Sequence, residues 1–379
     1  MTFRQWDALA GKLPLTRRTP IHPVQDSQEN HSGDGWRLLH GDSLDVLAEL
    51  PDQCIDALIS DPPYGISFKG NRWDGTSIRE SAAHRTRRRL TPGQAFAAWA
   101  QTWATEAHRV LKPGGHALAF GSPRTFHRLA CGFEDAGLEL RDTLAWLYGT
   151  GVPKSRKLPD GRATALKPAW EPIVIARRPF DGSTVTNIEQ HGTGALNIDA
   201  CRVAGRHPAN VALAHKPACT EQRCAPGCAV LAVDAAADAT RAAAPSVMRA
   251  SRIFYAAKAS RNERDAGCEH LPAEALDIFP NTGRKRSARP ARNRHPTVKP
   301  LSLMRWLVRL ACPPGGIVLD PFCGSGTTGC AAVLEDRLFL GIEIDAGYLD
   351  VATARITHWS RQEADDPRPF DHRDTRRKR

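Results

Sequence analysis

A doubly wound α/β fold on a mostly parallel sheet is what this sequence predicts. Three observations carry that expectation. Short apolar strands alternate with amphipathic helices from Trp36 to about Tyr148. The same rhythm returns from about His295 to residue 356. Between those stretches, from about 150 to 294, it breaks into Gly-, Pro- and Arg-rich chain.

In chain order, residues 1–34 are polar and irregular and read as a flexible arm. "CIDALIS" (54–60) reads as a buried strand, and "PGQAFAAWAQTWATEAHRVL" (92–111) as a helix with an apolar stripe. "KPGG" should stop that helix, with "HALAFG" following as a strand. "RTFHRLACGFEDAG" predicts helix then turn, and "LELRDTLAWLYG" a further strand. In the middle, "EPIVIARRP" is the one clear strand signal. "HPTVKPLSLMRWLVRLACPPGGIVLDPFCGSGTTGCAAVLEDRLFLGIEID" then predicts helix, turn, strand, glycine loop, helix and strand. The end, 357–379, is charged and poor in aromatics, and is expected to be disordered. The organisation is therefore an arm (1–34), a first α/β half (35–150), an irregular region (151–294), a second α/β half (295–356) and a tail (357–379).

Composition narrows the class. With 379 residues, 41% hydrophobic and 25% charged, the chain is long enough for a substantial core and reads as globular. No apolar run nears the roughly 20 residues of a membrane span, and "MTFRQWDALAGKLPLTRR" lacks the pattern of a secretory signal, so a cytoplasmic location is expected. The net charge of +11 favours a polyanionic partner, nucleic acid being the simplest, although an inert basic surface has the same composition. Ten cysteines without a small-domain disulfide pattern should be reduced in that location.

Two motifs carry chemistry. In "GGIVLDPFCGSGTTGCAAVL", Gly324 and Gly326 permit φ > 0 and close approach of a ligand to the backbone. Thr327 and Thr328 open a helix whose free N–H groups favour a negatively charged ligand group. The next strand ends at Glu343, where a carboxylate can take both ribose hydroxyls of an adenosine cofactor. A third glycine and a Walker lysine are both missing, which weakens dinucleotide and nucleoside-triphosphate readings. The second motif is "LISDPPYGISF", a strand running into Asp61, Pro62, Pro63 and Tyr64. Taken alone, an ordinary strand-end turn is the competing reading of this stretch.

Together, "DPPY" and "DPFCGSGTT" resemble the amino-methyltransferases of DNA that use S-adenosyl-L-methionine, in the permuted β order with the tetrapeptide first. The resemblance covers about 36–150 and 295–356. "LLHGDSLDVLAELPDQCIDALISDPPY" and "NRHPTVKPLSLMRWLV" add to it, and "TALKPAWEPIVIARRP" with "GTGALNIDACRV" is similar to members common in phages and mobile elements. It implies a Rossmann-like fold with circularly permuted motifs and a target-recognition region at 151–294. Asp320, Phe322, Gly324, Gly326, Thr327, Thr328 and Glu343 would bind the cofactor, with Asp42 at its adenine and Thr297 and Lys299 near its methionine end. A helix N-cap competes for Asp42.

The chemistry of the tetrapeptide fits that family. An exocyclic amine is a poor nucleophile because its lone pair is delocalised into the ring. Asp61 could accept one N–H and the Pro62 carbonyl the other, aiming the lone pair at a sulfonium methyl. Prolines fix φ and bring no competing N–H. Tyr64 offers a face for an extruded base. No Pro-Cys dipeptide occurs, against cytosine C5 chemistry. The expected activity is methyl transfer to adenine N6 in duplex DNA. N4-cytosine transfer, a silent DNA-binding protein on the same scaffold, and action on RNA or protein are the alternatives. A cognate restriction endonuclease is a possible partner, and both monomer and homodimer stay open.

Two basic runs suit phosphates: "HRTRRR", with Arg85, Arg87, Arg88 and Arg89, and "RKRSARPARNR", with Arg284, Lys285 and Arg286. The first lies in what reads as a loop of about 25 residues after the tetrapeptide, expected to close over the base. Each run could equally be a solvated loop. Finally, His215, Cys219, Cys224 and Cys228 form a candidate structural zinc set, with unshared thiols as the competing reading.

Overall fold

The computed structural model describes residues 30–87, 89–148, 158–203, 207–214, 225–228, 230–231, 258–274 and 290–362. In chain order the elements are β1 (His31–Gly33), β2 (Trp36–His40), α1 (Ser43–Glu49), β3 (Ile55–Ser60), α2 (Thr76–Thr86), α3 (Pro92–Val110), β4 (Leu111–Phe120) and α4 (Phe126–Asp135). There follow β5 (Glu139–Tyr148), β6 (Trp170–Arg177), α5 (Thr184–His191), β7 (Val211–Ala214) and α6 (Arg261–Asp265). The last five are α7 (Leu301–Ala311), β8 (Ile317–Asp320), α8 (Thr327–Leu334), β9 (Leu338–Glu343) and α9 (Ala346–Ser360).

The strands form one sheet in the order β1-β2-β9-β8-β3-β4-β6-β5-β7. From β2 to β4 every neighbouring pair is parallel. β1 and β6 run against the rest. Parallel central strands must be buried on both faces, and β3, β8 and β9 are buried at every residue. One face is covered by a cluster that includes Trp306, Met304 and Leu307 of α7. The other is covered by Phe96, Trp99 and Trp103 of α3 and Phe133 of α4.

α3 begins where the sequence requires. Thr91 and Gln94 form a reciprocal capping box, and Pro92 occupies the first turn, where its missing N–H costs nothing. At its other end "KPGG" does not form a separate loop. It is absorbed into β4, and the pairing of β3 with β4 slips register between Ile55 and Ala57 to accommodate it.

The stretch after the tetrapeptide is not the open loop that its composition suggested. It folds into two short 3-10 turns, Phe68–Gly70 and Arg72–Asp74, followed by α2. α2 is polar, and only Ile78 and Ala82, one turn apart, are buried. That pair is too small an apolar signal to mark a helix in sequence. The region 151–294 likewise contributes to the sheet, supplying β6 and β7.

Candidate active site

β8 continues through α8 to β9 on one side of the sheet order, whereas β3 continues to β4 on the other. β3 and β8 are adjacent and parallel, so their carboxyl ends open a crevice where the direction of winding reverses. Asp61 follows β3, and the glycine loop follows β8. Two contacts lock the strand ends: Ser60 Oγ donates to Asp320 Oδ1 at 2.6 Å, and the Ile317 N–H donates to Asp56 Oδ2 at 2.8 Å. A cavity of about 770 Å³ fills the crevice, within the usual range for cofactor sites.

At the glycine loop, Gly324 has φ +53, and a Cβ there would lie 2.7 Å from His295 Nε2. Glycine is therefore required twice over, by conformation and by space. Asp320 is fully engaged, with Oδ2 taking the Thr328 hydroxyl at 2.5 Å and Oδ1 also taking the Phe322 N–H at 3.1 Å. Burial pushes Asp320 up to about 6. Thr327 Oγ1 accepts from Arg355 at 2.9 Å. Asp320, Thr327 and Thr328 thus shape the loop through their side chains. Gly326, at φ +74, caps α8.

Phe322, Gly324, Glu343 and Thr297 line the cavity. Glu343 accepts the N–H groups of Gly324 and Asp345 at 2.7 and 2.9 Å, and burial pushes it up to about 7. Asp42 is exposed and caps α1 by accepting from the Leu44 N–H at 2.9 Å. The N-cap role is thus present at that position.

The tetrapeptide end holds a cluster that the sequence pattern alone did not assemble. Lys299 Nζ lies 2.7 Å from Asp61 Oδ2 and 3.1 Å from Glu171 Oε2. The Tyr64 hydroxyl donates to Asp61 Oδ1 at 2.7 Å and lies 3.2 Å from Glu171 Oε2. Lys299, expected near a cofactor's methionine end, lines the cavity beside Gly324 and also contacts the aspartate. Burial raises the Asp61 carboxyl, although Lys299 opposes it. Burial would also raise Glu171, but Lys299, Lys258 and the Tyr64 hydroxyl together outweigh it and hold that carboxyl below its ordinary value. His295 is pushed down to about 3 by burial and stays neutral.

Glu171 and Asp74 were both missed. Glu171 is a charged residue next to the start of a strand whose middle is apolar, a signal visible in "EPIVIARR". Asp74 in "NRWDGT" looked like a surface residue, yet it is 1% exposed. Its carboxylate accepts the N–H groups of Tyr64 (2.5 Å), Gly65 (2.8 Å) and Phe68 (2.7 Å). The chain after Pro63 is folded around that one carboxylate.

Residues 55–354 match the family described as DNA methylase. The chain belongs to that family. It is 25% identical over 362 residues to the type II methyltransferase M.HindIII of Haemophilus influenzae, covering 84% of this chain and 94% of that protein. It is 24% identical over 358 residues to the DNA adenine methyltransferase YhdJ of Escherichia coli, covering 91% and 90%. Among solved structures, the PvuII DNA methyltransferase (cytosine-N4-specific) superposes with a TM-score of 0.52 at 15% identity, covering 85% of this chain and 86% of that one. The last likeness concerns the fold alone.

Of the basic residues, Arg85, Arg87 and Arg89 are exposed at the end of α2 and just beyond it. Arg88, Arg284, Lys285 and Arg286 lie outside the described residues, as do His215, Cys219 and Cys224. Cys228 is described and is buried beside Val230, Leu213 and Ala225. Among the described residues there is no group of three or more possible metal ligands, and no helix is long and apolar enough to cross a membrane.

Proposed function

We propose that this DNA methylase transfers a methyl group from S-adenosyl-L-methionine to the N6 amine of adenine in duplex DNA. The observation that carries the reading is one cavity joining Asp61 and the Pro62–Pro63 turn to the glycine loop and Glu343. The residues fit the cofactor. Gly324 leaves its backbone bare, and Phe322 offers an aromatic face. Glu343 is aimed by two backbone N–H groups and keeps lone pairs for ribose hydroxyls. When bound, the cofactor supplies an electrophilic methyl group.

The chain's own work is then positioning. Asp61 accepts one N–H of the target amine and the Pro62 carbonyl the other, which localises the nitrogen lone pair. The positive charge that the amine acquires is relieved by losing a proton, and Asp61 is the carboxylate placed to receive it. Tyr64 borders the space that an extruded base would enter. Gly326, Thr327, Thr328 and Asp320 support the cofactor loop, Thr297 borders it, and the contact with the cofactor's adenine is assigned to Asp42, the exposed cap of α1.

Adenine is favoured by Asp61 and by the relative YhdJ; N4-cytosine is the second reading. We assign DNA contacts to Arg85, Arg87, Arg88, Arg89, Arg284, Lys285 and Arg286, and target recognition to 151–294. A cognate endonuclease and a cytoplasmic location complete the proposal, in keeping with a relative termed type II. Zinc on His215, Cys219, Cys224 and Cys228 would be a separate, structural addition.

Modification-sensitive sequencing of DNA from cells expressing the chain tests the reading. N6-methyladenine at one short sequence is expected, and N4-methylcytosine would overturn the choice of base. Asp61→Ala should abolish transfer while S-adenosylmethionine still binds. Retained activity would refute the assigned chemistry.

A further inference from the structure

Asp61 meets the target amine already carrying two donors, one on each carboxylate oxygen. Its Oδ2 is held by Lys299 and its Oδ1 by the Tyr64 hydroxyl, each at 2.7 Å. Both occupants have the same second acceptor, Glu171 Oε2, at 3.1 Å from Lys299 Nζ and 3.2 Å from the Tyr64 oxygen. Lys299 also donates to the Tyr64 hydroxyl at 3.1 Å, so the two occupants form one connected unit.

We propose that Glu171 is a positioning residue that draws Lys299 and the Tyr64 hydroxyl off Asp61 when substrate arrives, leaving Asp61 the stronger acceptor for an N–H of the target amine. The inference rests on the methyltransferase reading given above.

The physical need for such a residue is clear. The Lys299 side chain is only 8% exposed, and a buried ammonium separated from its partner carries a heavy desolvation cost. With Glu171 already in contact, Lys299 can leave Asp61 without losing its countercharge. Glu171 itself is fixed from the other side. Its Oε1 takes the Tyr148 hydroxyl at 3.2 Å, and Lys258 Nζ sits 3.6 Å from the centre of the Tyr148 ring.

The charges around the pair agree with the direction of transfer. Asp61 faces Lys299, Tyr64 and Glu171, with Asp320 at the end of the adjoining β8. Glu171 faces Lys299, Lys258, Tyr64 and Tyr148. His295, beside Lys299, is neutral. Asp61 is raised and Glu171 lowered, so the more stable anion is Glu171 and the readier proton acceptor is Asp61. Tyr64 is raised well above its ordinary value by burial and the two carboxylates, and remains a donor throughout.

The test is the pH profile of kcat for wild type, Glu171→Gln and Lys299→Gln, with melting temperature and cofactor Kd as controls. Glutamine keeps the shape and one acceptor but removes the charge that hinders ionisation of Asp61. In Glu171→Gln the acidic limb should therefore move down by about half a pH unit or more, while plateau kcat falls about tenfold or more because Lys299 stays on Asp61. In Lys299→Gln the limb should move up, since Asp61 loses its cation. The double variant should recover part of the activity lost in Glu171→Gln. A kcat loss in Glu171→Gln that the double variant does not recover would overturn the proposal, since Lys299 would then not be what holds Asp61 back. Limbs displaced in the opposite directions would also overturn it. A folded wild type unable to methylate any DNA would instead overturn the underlying reading.

Discussion

Replacing Asp74 by asparagine tests whether one buried carboxylate folds the segment that follows the tetrapeptide. The aspartate takes three backbone N–H groups: two on Oδ1, from Tyr64 and Gly65, and one on Oδ2, from Phe68. An asparagine oxygen at the Oδ1 position keeps the first two bonds in weaker, uncharged form. Its amide NH2 then meets the Phe68 N–H, donor against donor. A hydrogen bond to a charged group contributes about 1.5–3 kcal/mol, and an orphaned buried donor costs about 1–3 kcal/mol. We therefore expect the local structure to lose about 2–4 kcal/mol and the melting temperature to fall by a few degrees. The larger effect is geometric. Tyr64 is held at its N–H by Asp74, at its carbonyl by the Thr125 hydroxyl (2.7 Å) and at its own hydroxyl by Asp61. A shift of about 1 Å in such a constellation can cost about 100-fold in rate. Initial-rate transfer of labelled methyl groups to saturating DNA should show kcat reduced about 10- to 100-fold, with cofactor Kd within about threefold of wild type. An Asp74→Asn protein with unshifted melting and kcat within about twofold of wild type would refute the reasoning.

Two further outcomes are expected. Glu343 is pushed up to about 7 in the ligand-free protein, and ribose hydroxyls donate best to the ionised form, so cofactor binding should release a proton. Cofactor Kd should then rise as pH falls through 7, by up to about tenfold per unit, and Glu343→Gln should flatten that slope; calorimetry in buffers of different ionisation enthalpy checks the sign, and net proton uptake would contradict it. Changing Arg85, Arg87 and Arg89 to alanine should weaken DNA binding and reduce the slope of log K against log salt by about one for each phosphate that is no longer neutralised. Equal slopes for variant and wild type would remove these residues from the interface.

Much of this was legible in sequence, for identifiable reasons. β3, β8 and β9 are mostly apolar runs because parallel central strands are buried on both faces, and such runs need little context to recognise. The glycine loop was legible because Gly324 answers a double demand that no other residue meets. Strand direction was not legible: β6 has the same apolar pattern whether it runs with β4 or against it, and it runs against. α2 stayed hidden because only Ile78 and Ala82 anchor it. Asp74 stayed hidden because its three partners are backbone N–H groups, which carry no sequence signature. Lys299 stood out in its motif, but its partners Asp61 and Glu171 lie 238 and 128 positions away by subtraction, and no local pattern could place the ammonium between them.

The motif order in the chain also becomes intelligible from the sheet. A methyl-donor loop after β8 and an acceptor group after β3 need only one spatial relation, adjacency of the two strands. That relation is fixed by residues at the strands themselves: the Ser60 hydroxyl on Asp320 at one end, and Asp56 on the Ile317 N–H at the other. Each half is continuous in sequence, β3 to β4 and β8 to β9, so each can form before the connection between them is specified. The connecting chain can consequently be long and irregular without loosening the site. Part of it has nonetheless been drawn into the machinery. β6 enters the sheet beside β4 and carries Glu171 to within 3.1 Å of Lys299, so the intervening region supplies a working group and not merely a tether. Through the hand-over of Lys299, changes in that region alter turnover by way of Glu171 without touching either motif.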